Sequence, residues 1–208
     1  MGRLYSDAWF RSYDYGFVHR GVMLWWRVLG DGRLHIAREF VHRYMTIPDI
    51  CHNVHQITRA LGITRVRYTV ADKYSMGYRA SDLDRGETRA DLFGKHGVHV
   101  LPANHDRVQG FTRVRELFAM RPDGLPWLTL DPSCKYTIRA LSAAISDRTN
   151  PEDVAEFEED HPLSALRYGA MSRPAPVLRG LRDPKPGTAG AMLRDIQDAS
   201  ARRTQTFR

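Results

Sequence analysis

Three aspartates stand in short stretches suited to chemistry: Asp14 in "YDYG", Asp72 in "VADKYS" and Asp160 in "EEDHP". Carboxylates supply the hard anionic oxygens that divalent cations prefer. In two-metal phosphodiester hydrolysis one ion activates water and the other stabilises the leaving oxygen, and at a spacing of roughly 3.5–4 Å one carboxylate commonly bridges both. Without cations, carboxylates held together repel one another, so the cluster is costly unless it is used. Taken singly, each aspartate also has a purely structural role open to it. Asp14 before Gly16 suits a turn, Asp72 suits a strand end, and Asp160 suits a helix start. The order of elements decides whether the three can meet.

Gly30-Asp31-Gly32 separates two β-rich runs and signals a hairpin. The pattern predicts a three-stranded antiparallel meander near 10–18, 22–29 and 34–42. In "TIPDICHNVHQITRALG", Thr46 is an N-cap and Pro48 and Asp49 fall in the first turn. Ile50, Val54, Ile57 and Leu61 then recur at helical spacing until Gly62 ends the helix. "ITRVRYTVAD" reads as a strand ending at Asp72. A partly helical stretch around 82–96 leads to a short strand in "VHVLPA" and an amphipathic helix in "HDRVQGFTRVRELFAM". A strand in "PWLTLDP" and helices in "KYTIRALSAAI" and "HPLSALRYGAM" complete the order. Antiparallel strands followed by α/β crossovers predict an α/β mixed sheet with helices on both faces. Strands one and four then lie side by side and parallel, which brings Asp14 and Asp72 to one sheet end, where ligands of such sheets sit. The last helix need only dock its N-terminus there.

That helix begins in "EFEEDHPLSALRYGAM", where Glu156, Glu158, Glu159 and Asp160 run into His161 and Pro162. Acidic residues suit a helix N-terminus and proline suits the first turn, so capping alone accounts for the composition. The other reading is that one of these carboxylates is held beside other carboxylates to grip a metal ion. Asp160 is the favoured ligand because Pro162 limits how far upstream the helix can extend, with Glu158 or Glu159 as possible assistants.

The bulk composition narrows the field. The 208 residues are 42% hydrophobic and 26% charged, ordinary values for a globular protein with a sizeable core. No apolar run approaches the roughly 18 residues of a membrane span, and the N-terminus has no signal-peptide pattern. Cys51 and Cys134 stand alone, which fits a reducing cytoplasm, and the nine histidines form no zinc motif. Of the net charge of +7, most comes from residues 173–208, with eight Arg or Lys against three Asp. The chain therefore divides into a nearly balanced domain, 1–172, and a basic tail, 173–208, with at most a short helix near 189–201.

The spread "YDYG … VRYTVADKYS … ANHDRVQGFTRVRELF … EEDHPLSALRYGAM" resembles the nuclease domain of the large terminase subunit of tailed bacteriophages, over about residues 8–172. The closing "DHPLSALRYG" is its most specific part. The resemblance implies a ribonuclease H-like fold and makes Asp14, Asp72 and Asp160 a catalytic, metal-binding triad for two Mg²⁺ or Mn²⁺ ions. It implies an endonuclease that cuts concatemeric double-stranded viral DNA during genome packaging, in the cytoplasm of an infected bacterial host. By the same resemblance the partners are DNA, the ATPase part of the large terminase, the portal or procapsid and the small terminase subunit. The chain departs from the family pattern at Ser164, where many relatives carry a second aspartate. It also contains no G-x-x-x-x-G-K-[ST] loop, so ATP hydrolysis is expected from a separate segment.

The resemblance also makes His105, Arg107, Arg113 and Arg115 candidate phosphate contacts, and Lys73 beside Asp72 is a fifth. Each has a structural counterpart, a solvated helix face for the first four and an offset to the acidic cluster for Lys73. His161 suits proton transfer or helix capping. Trp25 and Trp26 read as a sheet covered on both faces. Two other functions fit the same residues: a resolvase- or ribonuclease H-like nuclease with another nucleic-acid substrate, and a non-catalytic DNA-binding or portal-docking module.

Overall fold

The computed structural model describes residues 8–77, 86–121, 123–155, 157 and 160–173. Glu156, Glu158, Glu159, the tail beyond Arg173, for which at most a short helix near 189–201 is expected, and the start of the 82–96 stretch lie outside the described residues.

Among the described residues six strands form one sheet: β1 (Ala8–Asp14), β2 (Gly21–Val28), β3 (Leu34–His42), β4 (Val66–Ala71), β5 (Val100–Pro102) and β6 (Leu128–Leu130). Their order across the sheet is β5-β4-β1-β2-β3-β6. The meander β1–β2–β3 is antiparallel, while β4 joins β1, β5 joins β4 and β6 joins β3 in parallel. The mixed sheet expected from the sequence is present, including the parallel pair of first and fourth strands.

Helices cover both faces. On one side lie α1 (Ile47–Ala60) and α3 (Arg89–Lys95), whose Ile50, Cys51, Val54 and Phe93 pack with Tyr13, Met23 and Trp25. On the other lie α4 (Arg107–Phe118), α5 (Lys135–Ala143) and α6 (His161–Met171), whose Val114, Leu117, Tyr136, Ala165 and Leu166 pack with Phe10, Leu24 and Trp26. Successive strand side chains point to opposite faces. The run Met23-Leu24-Trp25-Trp26 therefore feeds both cores alternately, and all four side chains are fully buried.

Local chemistry explains the helix starts. Thr46 caps α1 by accepting from Asp49 N, and Thr88 and Asp91 form a reciprocal capping box at α3. Helix α5 is capped from a distance: the Glu39 carboxylate on β3 accepts from the Tyr136 and Thr137 backbone N–H groups at 2.8 Å each. Helix α6 is the least conventional. It buries eight of its eleven residues, more than one apolar stripe would require, because it lies under the sheet and against α4. Close approach depends on Gly169, where a Cβ would come within 2.3 Å of the Trp26 ring.

Candidate active site

The register Tyr13↔Ala71 is the last of the parallel β1–β4 pairing, so Asp14 and Asp72 leave the sheet side by side at one end. Asp14 ends β1 opposite Val22. Asp72 immediately follows β4 and caps a one-turn helix, α2 (Lys73–Met76), that sequence patterning did not reveal. Its Oδ1 accepts from Tyr74 N at 3.3 Å and its Oδ2 from Ser75 N at 2.7 Å. Asp160 is the N-cap residue of α6, but its side chain makes no capping hydrogen bond; its carbonyl accepts from Leu163 N at 2.8 Å. Capping alone therefore does not explain that carboxylate.

Two histidines face the carboxylates. His161 Nδ1 lies 2.8 Å from Asp14 Oδ2, and His105 Nε2 lies 2.9 Å from Asp72 Oδ1 and 3.2 Å from the Lys73 backbone N–H. The Tyr168 ring stands 5.7 Å from the His105 ring, and His19 stands 5.8 Å from His161. Of these, Tyr168 and His19 carry no local sequence signal that would have marked them; only the fold brings them here.

The electrostatics record the crowding. Burial pushes the Asp14 carboxyl above its usual range, the hydrogen bond and charge of His161 oppose this, and the charges of Asp72 and Asp160 add to the upward push. His161 is raised, first by its hydrogen bond to Asp14, against the effect of burial, with the Asp14 and Asp160 charges helping. His105 is lowered, chiefly by burial; Asp72 acts against this, while Lys73 and Arg167 reinforce it. The two histidines are thus biased oppositely, His161 toward imidazolium and His105 toward the neutral ring.

Among the described residues no three His, Cys, Asp or Glu side chains form a group arranged to hold a metal ion. The triad expected of Asp14, Asp72 and Asp160 is accordingly not a preformed cage. One Asp14 oxygen is engaged by His161, and both Asp72 oxygens are engaged by α2 and His105. The donor set nonetheless suits a hard divalent cation. The charges of Asp72 and Asp160 both reach Asp14, and a cation beside it would relieve that repulsion.

The expected phosphate contacts separate into two groups. Lys73 and His105 lie at the site, with Lys73 Nζ 4.8 Å from the centre of the exposed Tyr74 ring. Arg107, Arg113 and Arg115 have partners within the fold. Arg107 Nε donates to Asp153 at 3.0 Å and its NH2 group to the Val154 carbonyl. Arg115 donates to the Glu152 carbonyl and Arg113 to Glu116, each at 2.8 Å. Two of these arginines fasten the 152–154 segment to α4, a use that helical periodicity cannot distinguish from a solvated basic face.

No family model matches the sequence, and no curated protein matches it. Solved structures match in fold. The large terminase from a thermophilic bacteriophage aligns with a TM-score of 0.62 at 17% identity, over 83% of this chain and 40% of that one. The P22 large terminase nuclease domain aligns with a TM-score of 0.61 at 15% identity, over 80% of this chain and 81% of that one. The large terminase nuclease from a second thermophilic phage, G20c, in a crystal structure with bound cobalt, aligns with a TM-score of 0.52 at 12% identity, over 79% and 81%. This chain thus spans well under half of the first of these terminases and corresponds in extent to the two nuclease domains. At these identities the likeness establishes the fold, a ribonuclease H-like mixed sheet.

Proposed function

We propose that this domain, which shares the fold of large-terminase nuclease domains, is a divalent-metal-dependent endonuclease acting on double-stranded DNA during phage genome packaging. The observation that supports the reading is that Asp14 and Asp72 leave paired strands at one sheet end, where His161 of α6 meets Asp14 and the neighbouring Asp160 adds its charge to the upward push that burial gives the Asp14 carboxyl. Asp14, Asp72 and Asp160 are the groups that would hold two divalent cations, Mg²⁺ or Mn²⁺. When bound, such ions polarise the scissile phosphate and lower the pKa of coordinated water.

The chain's own residues supply the rest. The β1–β4 pair sets the spacing of Asp14 and Asp72, and the buried α6 holds His161 on Asp14 with Asp160 next to it. His161 and His105, each within hydrogen-bond reach of a carboxylate, orient those carboxylates and yield their oxygens to a cation. Lys73 offers a positive charge to the DNA backbone at the rim. None of these groups reads base edges, so cleavage has little sequence specificity. The ATPase, portal and small-subunit partners of a packaging motor belong to this reading as well.

Nicking and linearisation of supercoiled plasmid in Mn²⁺, Mg²⁺ or EDTA, for wild type, Asp72→Asn and Asp160→Asn, tests it. Metal-dependent cutting that both substitutions reduce at least about a hundredfold supports the triad. Cutting that survives Asp160→Asn moves the third ligand to Glu158 or Glu159. Absence of cutting, together with absence of any Mn²⁺-induced rise in melting temperature, removes the metallonuclease reading.

A further inference from the structure

The loop that leaves the carboxylate site carries exposed rings that the hydrolytic chemistry does not use. Between Asp14 and β2 runs Tyr15-Gly16-Phe17-Val18-His19-Arg20, and beside it runs the turn after β3, Arg43-Tyr44-Met45. Phe17 is 47% exposed, Val18 54% and Tyr44 59%, so three apolar side chains on two adjoining turns meet solvent together.

This group is built, not left over. The Phe17 and Tyr44 rings meet edge to face with centroids 6.0 Å apart. Tyr44 N donates to the Phe17 carbonyl at 2.8 Å, and Arg43 Nε donates to the Val18 carbonyl at 2.6 Å. The Arg43 guanidinium lies 4.7 Å from the centre of the Tyr44 ring. Tyr44 is the one non-glycine residue with positive φ among the described residues, at 55°. A bulky residue held in the left-handed region marks a position that the surroundings over-determine, and such positions cluster at ligand clamps. Gly16 makes the loop tight enough, since a Cβ there would come within 2.5 Å of the His19 carbonyl.

The location and charge say what the rings meet. Phe17 follows Asp14 by three residues, a span of at most about 10 Å, comparable to three base steps of a duplex strand. His19, on the same loop, stands beside His161, which holds Asp14. Neither segment 15–21 nor segment 41–48 contains an acidic residue, whereas they carry Arg20 and Arg43. Exposed aromatic rings beside the Arg43 cation suit DNA, where the rings can wedge at a base step and the guanidinium can meet a phosphate.

We propose that Phe17 and Tyr44 form an aromatic clamp that wedges against a partly unstacked base step of the duplex next to the scissile phosphate, with Arg43 contacting the backbone. The clamp rests on the reading of the carboxylate site as a DNA nuclease, and it adds a salt-independent part to DNA affinity. Ring–base stacking releases no counterions, whereas each arginine–phosphate contact does.

Fluorescence anisotropy of a short labelled duplex, titrated with the full chain in EDTA at several salt concentrations, separates these contributions. Phe17→Ala and Tyr44→Gly are each expected to weaken binding about tenfold with an unchanged slope of log affinity against log salt. Glycine suits the positive φ of Tyr44, and Phe17→Leu provides an apolar variant without a ring; it is expected to match Phe17→Ala. Arg43→Gln is expected to lower the slope by about one. Wild-type affinity in Phe17→Ala, Phe17→Leu and Tyr44→Gly overturns the clamp while leaving the nuclease reading intact, and so does a loss that disappears at high salt. Failure of the wild-type chain to bind duplex DNA overturns both.

Discussion

Trp25 and Trp26 are neighbours in β2, yet they belong to two different kinds of packing. Trp25 faces α1 and donates its indole N–H to Thr58 on that helix at 3.0 Å. Helix α1 is an ordinary amphipathic cover: of its fourteen residues only Ile50, Cys51 and Val54 are buried. Trp26 faces α6, with its indole N–H donated inward to Ser12 at 2.8 Å and Gly169 pressed against its ring. The α1 layer closes a core, while the α6 layer closes a core and sets the position of a carboxylate. Injury to the first should cost stability alone, and injury to the second should cost stability and chemistry together.

Gly169→Val gives the largest effect. The added carbons meet the rigid Trp26 indole, so α6 must move, at about 4 kcal/mol of stability by denaturant unfolding. The accompanying shift of Asp160 should lower plasmid cleavage about a hundredfold in the fraction that remains folded. Ile50→Ala is the matched injury on the α1 side. It should cost about 3 kcal/mol through the cavity it leaves, with cleavage per folded molecule unchanged; a comparable loss of cleavage would abolish the distinction between the layers.

Acid should affect the α1 side next. His42 is buried beside Tyr13, whose hydroxyl lies 2.9 Å from its Nε2, and burial depresses the imidazole from 6.5 to about 4. The folded state therefore binds this proton less readily than the unfolded state, so the contribution is complete above pH 6.5 and is lost as pH falls toward 4. At about pH 5 the loss amounts to about 2 kcal/mol, and His42→Gln should flatten that part of the stability–pH curve.

The smallest effect is the most local. Each layer holds one buried thiol, Cys51 on α1 and Cys134 on the α6 side, raised by burial to about 11 and about 12. Both should resist a thiolate-selective reagent in the native protein. Ile50→Ala should speed labelling of Cys51 and leave Cys134 slow, whereas Gly169→Val should do the reverse. Parallel acceleration of both would show that the layers open as one unit.

The sequence carried the element order because its signals are local. Thr46 and Gly62 bracket α1, Gly30-Asp31-Gly32 marks the turn, and the double tryptophan marks a sheet covered twice. From that order the meeting of Asp14 with Asp72 followed through parallel pairing. Less was legible where the partner is remote. Glu39 caps α5 from another layer, and α2 exists because Asp72 satisfies two of its N–H groups, not because "KYSM" favours a helix. The histidines divide in the same way. His105 and His161 could be picked out by position, but their opposite bias depends on burial and on neighbours far along the chain. Arg107 and Arg115 read as a basic helix face until the 152–154 segment folded onto them.

Gly169 and the buried face of α6 also bear on when the site comes into being. Asp14 and His161 are 147 residues apart in the chain. During synthesis from the N-terminus, β1 to β4 are available long before α6 emerges. Until then Phe10, Leu24 and Trp26 lack their cover and Asp14 and Asp72 lack their third carboxylate. One docking event then seals the apolar surface and completes the acidic cluster. A nascent or truncated chain that has not yet buried its core therefore also lacks the pairing of Asp14 with His161, so under the proposed function the order of folding withholds cleavage until the scaffold is finished.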